Sequence, residues 1–248
     1  MKKDTKAIMK FGKGIVLVVL LALTSCASMG GDKKTGCKDS PTPSNEWTQE
    51  FGIEKRSFAT SGENKYFVLK PGFQAVIEGD GEKVAITVLD QTEKIGGTET
   101  RVVEEREEKN GRLVEVSRNF FAIDKVTGDV FYFGEDVDIY KDGKIAGHSG
   151  AWRAGEKNFK AGIMIPGNLS IGLKYYQEIA PGEAMDRAEI VSVSETLKTP
   201  AGTFTNCLKT EETSGLNPSD KGCKTYAPGI GLIQDEDLLL TKYGFIEK

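Results

Sequence analysis

The sequence predicts a mainly β domain, an antiparallel meander that forms a sandwich or an open barrel, with few or no long helices. Turn signals recur at regular intervals. Asn110-Gly111 and Asp142-Gly143 are typical of two-residue hairpin turns. Four proline–glycine pairs have the residue order of type II turns: Pro71-Gly72, Pro166-Gly167, Pro181-Gly182 and Pro228-Gly229. Because strand-like runs separate these turns, sequential strands joined by tight turns are expected.

The candidate strands are short runs rich in Val, Ile, Thr, Tyr and Phe. In residues 84–89, the apolar side chains of Val84, Ile86 and Val88 alternate with other residues, as a half-buried strand requires. Other runs of this kind are residues 66–69, 113–123, 130–133, 189–194 and 203–210.

The segment Thr98–Lys109 is the one long stretch with a helical composition. Its Glu and Arg residues are good helix formers, but two valines are too small an apolar face for a docked helix. Folded as a hairpin about Asn110-Gly111, the segment places Arg106 opposite Glu115, with Glu104 on the same face. This cross-strand charge pairing favours a strand.

Residues 1–25 have the composition of an export signal. Five lysines precede a nearly unbroken apolar run at residues 15–23, which is too short to cross a bilayer, and small residues follow. The sequence Leu23-Thr24-Ser25-Cys26 resembles the lipobox of bacterial lipoproteins. That resemblance implies acylation of Cys26, which becomes the mature N-terminus and anchors the protein to a membrane through its lipid. The residue after Cys26 is Ala27 and not Asp. This resembles the pattern of Gram-negative lipoproteins that are sorted to the outer membrane, so that location is expected if the source is Gram-negative.

The remaining chain divides into a tether and one domain. Residues 26–50 contain almost no large apolar side chain before Trp47, so we expect a flexible tether with a reach of about 25 Å. Residues 51–248 are long enough for a single buried core. Removing the signal's five lysines and one aspartate from totals of 33 basic and 37 acidic residues leaves a net charge of about −8. This acidic balance disfavours nucleic acid as a partner.

His148 is the single histidine, which excludes any site with two histidine ligands. A regular hairpin about Asp142-Gly143 places His148 opposite Val137 with Glu135 on the same face. Asp136 and Asp138 then point away. We therefore interpret His148 as an exposed strand residue and predict no metal site.

The acidic runs at residues 104–108 and 235–237 are interpreted as solvated strand faces and edges. A glycosidase would need two carboxylates held across a cleft, which the sequence alone does not pair. Residues 124–129 lack the spacing of an EF-hand loop. No catalytic residue and no cofactor are predicted.

Aromatic residues and cysteines are assigned structural roles. The aromatic side chains are numerous enough to line a groove but are expected in the core: Tyr132, Phe133, Tyr140, Trp152, Tyr175 and Tyr176. Cys37 lies in the tether. A hairpin that pairs Thr213 with Gly222 puts Cys207 and Cys223 too far apart for a disulfide, so two free, partly buried thiols are expected.

Several motifs resemble those of a family of uncharacterised bacterial secreted proteins and lipoproteins. They comprise Tyr66-Phe67-Val68-Leu69-Lys70-Pro71-Gly72, residues 126–138, Ala184-Met185-Asp186-Arg187-Ala188-Glu189, Pro200-Ala201-Gly202-Thr203-Phe204 and residues 226–232. The resemblance covers nearly all the mature domain. It implies a single β-rich domain and brings no reaction, ligand or catalytic residue.

The sequence therefore predicts a membrane-anchored envelope lipoprotein with a non-catalytic domain that binds an envelope protein or an apolar ligand. A carboxylate-dependent envelope hydrolase, with glycans as one substrate class, is the alternative. A structural or assembly factor without a ligand is a third interpretation.

Overall fold

The computed structural model describes residues 46–246, and it confirms a mainly β fold. Within that range the chain has one 3₁₀ turn, Ile53–Lys55, and eighteen strands. In chain order, β1 to β18 are Phe58–Ala59, Gly62–Asn64, Phe67–Leu69, Phe73–Gly79, Glu82–Ile95, Thr98–Lys109, Arg112–Asp124, Val130–Lys141, Lys144–Gly147, Trp152–Arg153, Lys160–Ile165, Lys174–Tyr176, Glu178–Ile179, Asp186–Thr199, Gly202–Ser214, Lys221–Ala227, Gly231–Asp235 and Leu238–Phe245. The predicted signal, Cys26, Cys37 and most of the predicted tether lie outside the described residues.

One antiparallel sheet organises the domain as a nearly closed barrel. The strand order is β12-β14-β15-β16-β17-β18-β4-β5-β6-β7-β8-β11-β13. From β14 to β18 and from β4 to β8, strands that follow each other in the chain also pair in the sheet. The predicted meander is therefore present in two runs, and pairing of β18 with β4 joins them.

The two ends of this strand order meet at a seam. Only Gln177 separates β12, which pairs with β14, from β13, which pairs with β11. The seam is tight, because a Cβ atom on Gly162 of β11 would collide with the carbonyl oxygens of Tyr176 and Gln177. A glycine at this position therefore lets the backbones approach.

The segment that leads into the domain lies along the same seam. Thr48 forms a parallel bridge with Tyr175, and its backbone N–H donates to the Lys174 carbonyl at 3.0 Å. Trp47 packs edge-on against Tyr176, and the guanidinium of Arg187 lies over the Trp47 ring. The last residues of the predicted tether thus contact the barrel.

The turns follow the proline–glycine signals at three of the four positions. Gly72, Gly182 and Gly229 have φ angles of 83°, 89° and 72°, as the third position of a type II turn requires. Gly167 has no positive φ; there a Cβ atom would collide with the Thr127 carbonyl oxygen. This glycine permits close backbone approach rather than an unusual turn conformation.

Both described cysteines are free thiols. The predicted register of their hairpin is wrong by one residue, because Thr213 pairs with Lys221 instead of Gly222. Cys223 consequently opposes Glu211 and is half-buried. Cys207 is fully buried in a small apolar cluster.

Candidate ligand-binding cavity

A cavity of about 440 Å³ lies inside the barrel. Its volume falls within the range typical of small-molecule sites. Part of its wall is apolar, with the side chains of Phe67, Phe73, Val88, Val103, Phe121 and Met164. The rest of the wall is polar and includes the side chains of Glu105, Asn119, Glu135, Glu178, Glu212 and Lys224.

The cavity reaches solvent between loops at one end of the barrel. Ser149 follows β9, Glu183 lies between β13 and β14, and Leu216 lies between β15 and β16. All three residues line the cavity and are exposed. A ligand therefore has a path of entry between these loops.

A β-bulge places the acidic side chains of β6 and β7 inside the barrel. Lys109 pairs with Arg112, but the register then shifts and Glu107 pairs with Glu115. The extra residue in β7 is Val114, and one inserted residue reverses which face each later side chain occupies. The predicted pair of Arg106 with Glu115 is therefore wrong, although the strand interpretation of Thr98–Lys109 is confirmed.

The interpretation of residues 104–108 and 235–237 as solvated is wrong for three residues. Glu105, Glu107 and Asp235 are only 7%, 7% and 5% exposed. A smaller cavity of about 150 Å³ contacts all three and shares Glu105 with the main cavity. Alternation along the strands turns these side chains inward, whereas Arg106 between two of them is exposed.

Burial raises the pKa values of the interior carboxyl groups. Desolvation is the main cause at Glu105, whose pKa rises to about 7, and at Asp235, whose pKa rises to about 6. For Glu107, desolvation and the neighbouring carboxylate of Glu115 raise the pKa to about 8. The pKa of Glu115 rises to about 7 through desolvation. These groups therefore exchange protons near neutral pH.

Two further carboxyl groups in the main cavity have pKa values well above the ordinary range. Desolvation raises that of Glu135, with a further contribution from Glu105; a side-chain hydrogen bond joins Glu135 to Tyr132. The pKa of Glu178 is raised by desolvation and by the charge of Asp186, although Glu178 accepts the backbone N–H of Asp186. Burial thus favours the protonated form of both side chains, the form that can donate a hydrogen bond.

Lys224 is the one cationic side chain that lines the main cavity within residues 46–246. Its ammonium lies 2.8 Å from a carboxylate oxygen of Glu212. Burial alone would lower the pKa of Lys224, but the charges of Glu212 and Asp235 outweigh it and raise the pKa. Gln177 and Tyr226 also donate to Glu212, so this carboxylate and ammonium form a fixed internal pair.

The site around His148 also differs from the prediction. A register shift between Ile139 and Tyr140 brings the Nδ1 atom of His148 to 3.1 Å from Asp138, which was expected to point away. Glu135 instead faces the cavity. His148 is exposed, as expected, and its Nδ1 also contacts the Val137 carbonyl at 2.7 Å.

The aromatic residues are mainly core, as the sequence predicted. Phe133, Trp152, Tyr175 and Tyr176 are buried, and Tyr140 is half-buried. Of the six, Tyr132 lines the main cavity. Its hydroxyl donates to Asn119 at 2.7 Å, which fixes the polar wall beside Glu135.

Residues 124–129 form a structural loop. The guanidinium of Arg56 lies 3.0 Å from both Asp124 and Asp129. Asp124 also accepts the backbone N–H groups of Val126 and Thr127. Burial alone would raise the pKa of Asp124, but these hydrogen bonds and Arg56 outweigh it and lower the pKa.

Across residues 46–246, no cluster of three or more His, Cys, Asp or Glu residues has a geometry suited to a metal ion. In the same residues, no helix has the length and apolar character needed to cross a bilayer. The arrangement that stands out chemically is thus the cavity, which combines an apolar wall with buried carboxyl groups.

Comparisons with known proteins identify no function. No family model matches the sequence, and no curated protein matches it. Among solved structures, the chain is similar to a protein from Bacteroides fragilis described as exported and as having a YmcC-like fold. The two share 16% identity with a TM-score of 0.37, over 73% of this chain and 99% of that one.

Proposed function

We propose that the protein is a lipid-anchored envelope lipoprotein whose barrel binds an apolar or amphiphilic envelope molecule without transforming it. The cavity of about 440 Å³, with its apolar wall and its opening between loops, is the observation that supports binding. Such a volume suits a small molecule or one acyl chain rather than a folded partner.

The proposed location rests on residues 1–26. The basic segment, the short apolar run and the lipobox-like Leu23-Thr24-Ser25-Cys26 support export and acylation. Three acyl chains, as in the lipoprotein family, would hold the protein at the membrane stably. If the source is Gram-negative, the outer membrane facing the periplasm is the proposed site.

Metabolic labelling with a palmitate analogue tests the anchor. Cys26→Ser should abolish labelling and leave an unprocessed precursor, whereas the matched variant Cys37→Ser should be labelled and processed normally. Labelled Cys26→Ser protein in the membrane fraction would contradict the proposed anchor.

Native mass spectrometry of the mature protein, mixed with an envelope lipid extract, tests the cavity. We expect one retained small molecule per protein. Ser117→Leu, which fills part of the cavity from a buried position, should reduce retention. Val191→Leu, at an exposed position on β14, is the control and should retain the molecule normally. No retained molecule, or equal retention by both variants, would contradict binding in the cavity.

A carboxylate-dependent hydrolase is the second candidate function. It is favoured by the presence in one cavity of Glu135, whose pKa burial raises, and of the Lys224-paired carboxylate of Glu212, since acid and base roles need carboxyl groups in different environments. Release of reducing ends from envelope glycans would reveal such an activity. Turnover that Glu135→Gln abolishes would establish the hydrolase and contradict non-catalytic binding.

A further inference from the structure

Glu105 is the least satisfied charged group in the main cavity. The residue is more than nine-tenths buried, with only 7% exposed. It lines the cavity, yet its carboxyl group has no hydrogen bond or ion pair to any residue among 46–246. Native proteins rarely leave a buried polar group without a partner. This side chain therefore indicates a place for a ligand group.

The cavity's own cation acts on Glu105 only at a distance: burial raises the pKa of Glu105 and the charge of Lys224 partly offsets this, but the two side chains form no ion pair. Lys224 is paired with Glu212 at 2.8 Å, and three more donors, from Gln177, Thr210 and Tyr226, bond the same carboxylate. Glu135 and Glu178 add further acidic groups to the wall. Burial favours the neutral form of these two, so Glu105 and Glu212 share the single ammonium of Lys224, and a deprotonated Glu105 favours a positively charged ligand group.

The strand register places apolar side chains beside Glu105. Glu105 pairs with Ile86 on β5 and with Ser117 on β7, and both line the cavity. Two residues along the same face, Val103 pairs with Val88. A molecule with its charge at Glu105 would therefore lay its body along Ile86, Val88 and Val103.

We propose that the ligand is an amphiphile with a protonated amine, which docks on Glu105 with its aliphatic body against this apolar wall. This inference rests on the proposed function of ligand binding in the cavity. The three N–H donors of a primary ammonium match the acceptors available there. Besides Glu105, these are the second lone pairs of the Ser117 hydroxyl, which already accepts from the Asn119 amide, and of the Asn119 amide oxygen, which already accepts from Tyr132.

Other ligand classes fit this cavity less well. A fatty acid or a phosphate would add a negative charge beside Glu105 and Glu212, and would have to displace Glu212 to reach Lys224. A neutral chain would leave Glu105 without a partner. A short amine would forgo the apolar wall, where each buried methylene adds about fourfold in affinity.

Isothermal titration calorimetry with matched ten-carbon probes tests the inference. The mature protein is titrated at pH 7.5 with decylamine, decanol, decanoate and, as a short amine, propylamine. We expect decylamine to bind at least tenfold more tightly than decanol, and decanoate and propylamine to bind more weakly than both. Equal affinities for decylamine and decanol would overturn the role of the amine, and equal affinities for decylamine and propylamine would overturn the amphiphile.

Variants assign the effect to one side chain. Glu105→Gln should weaken decylamine binding at least tenfold and leave decanol binding unchanged. Glu99→Gln, an exposed position on the same strand, should change neither affinity. Ser117→Ala provides a second, milder variant and should weaken decylamine alone. Undiminished decylamine binding by Glu105→Gln would overturn the assignment.

The probes distinguish failure of the amine inference from failure of the proposed ligand binding. If decanol binds and decylamine is no tighter, the amine inference is wrong and ligand binding in the cavity stands. If none of the ten-carbon probes binds, the proposed function and this inference are both wrong.

Discussion

Glu107 and Glu115 oppose each other across β6 and β7, inside the barrel and with no cation paired to either in the described chain. Directly opposed like charges destabilise a sheet, and burial adds the cost of desolvation. The folded protein reduces both costs by holding a proton mainly on Glu107, whose pKa is about 8, at neutral pH.

This relationship predicts that the domain loses stability as pH rises from about 4.5 to about 8. The pKa of Glu107 is about 8 in the folded protein and about 4.5 when exposed, so the folded state binds more protons over this window. Glu105, Glu115 and Asp235 act in the same direction. Each pKa unit corresponds to about 1.4 kcal/mol.

Urea unfolding at pH 5.5 and pH 8.5 measures this effect. The midpoint should be higher at pH 5.5. Glu107→Gln should raise the midpoint at pH 8.5 and reduce the difference, because an amide does not ionise. Glu99→Gln, exposed on the same strand, is the control. A midpoint that is equal or higher at pH 8.5 in the wild-type protein would contradict the prediction.

Arg56→Ala should destabilise the domain by about 2 kcal/mol. The substitution removes charged hydrogen bonds to Asp124 and Asp129 and leaves the largely buried Asp124 without its cation. Arg106→Ala, at an exposed position, should change stability by less than about 0.5 kcal/mol. Chemical denaturation at pH 7 compares the two. Similar losses in both variants would show that the Arg56 network does not stabilise the fold.

Gly162→Ala should weaken the seam by about 2 kcal/mol or more. The added methyl group would collide with two backbone carbonyl oxygens. The backbone cannot move aside as easily as the end of a flexible side chain, so the collision costs stability. Gly147→Ala is the matched control, because no atom lies within 4 Å of the position that its methyl group would occupy and its φ is not positive. Hydrogen exchange should show faster exchange in β11 and β12 for Gly162→Ala alone.

Cys207 and Cys223 should remain unlinked under oxidising conditions. Cys223 opposes Glu211, which is four residues from Cys207 along β15, so their Cα atoms are separated by about 14 Å. A disulfide tolerates about 7 Å. Alkylation of the native protein should modify half-buried Cys223 before buried Cys207. Peptide mapping without reductant that recovers a linked pair would contradict this register.

The sequence predicted the strands well because local signals determine them. Proline–glycine and Asn-Gly turns mark where the chain reverses, and the runs between them have the composition of strands. The candidate residues 113–123 and 203–210, for example, lie within Arg112–Asp124 and Gly202–Ser214. Whether the strands form a sandwich or a nearly closed barrel depends on the seam between β11, β12 and β13. These strands are short and have no distinctive sequence pattern, so the sequence did not predict the closure.

The cavity was missed because its lining depends on register. The one extra residue at Val114 turns Glu115 inward, and nothing in the composition of β7 distinguishes that residue from its neighbours. In residues 104–108 both strand faces carry glutamates, so apolar alternation could not identify the inner face. A one-residue error between β15 and β16 likewise separates Lys224 from Glu212, which the structure joins.

The joint between β18 and β4 has a consequence for how the domain folds. Most neighbouring strands form hairpins within short stretches of chain, but Thr241 on β18 donates to Val76 on β4, 165 positions away. Bringing such distant segments together carries a large loop-closure entropy, and long-range pairing slows folding. The cavity contains Phe73 from β4 and Lys224 from β16, so it exists only once this joint has formed. Ligand binding should therefore follow the pairing of β18 with β4 during folding. A bound molecule would in turn slow the separation of these two strands.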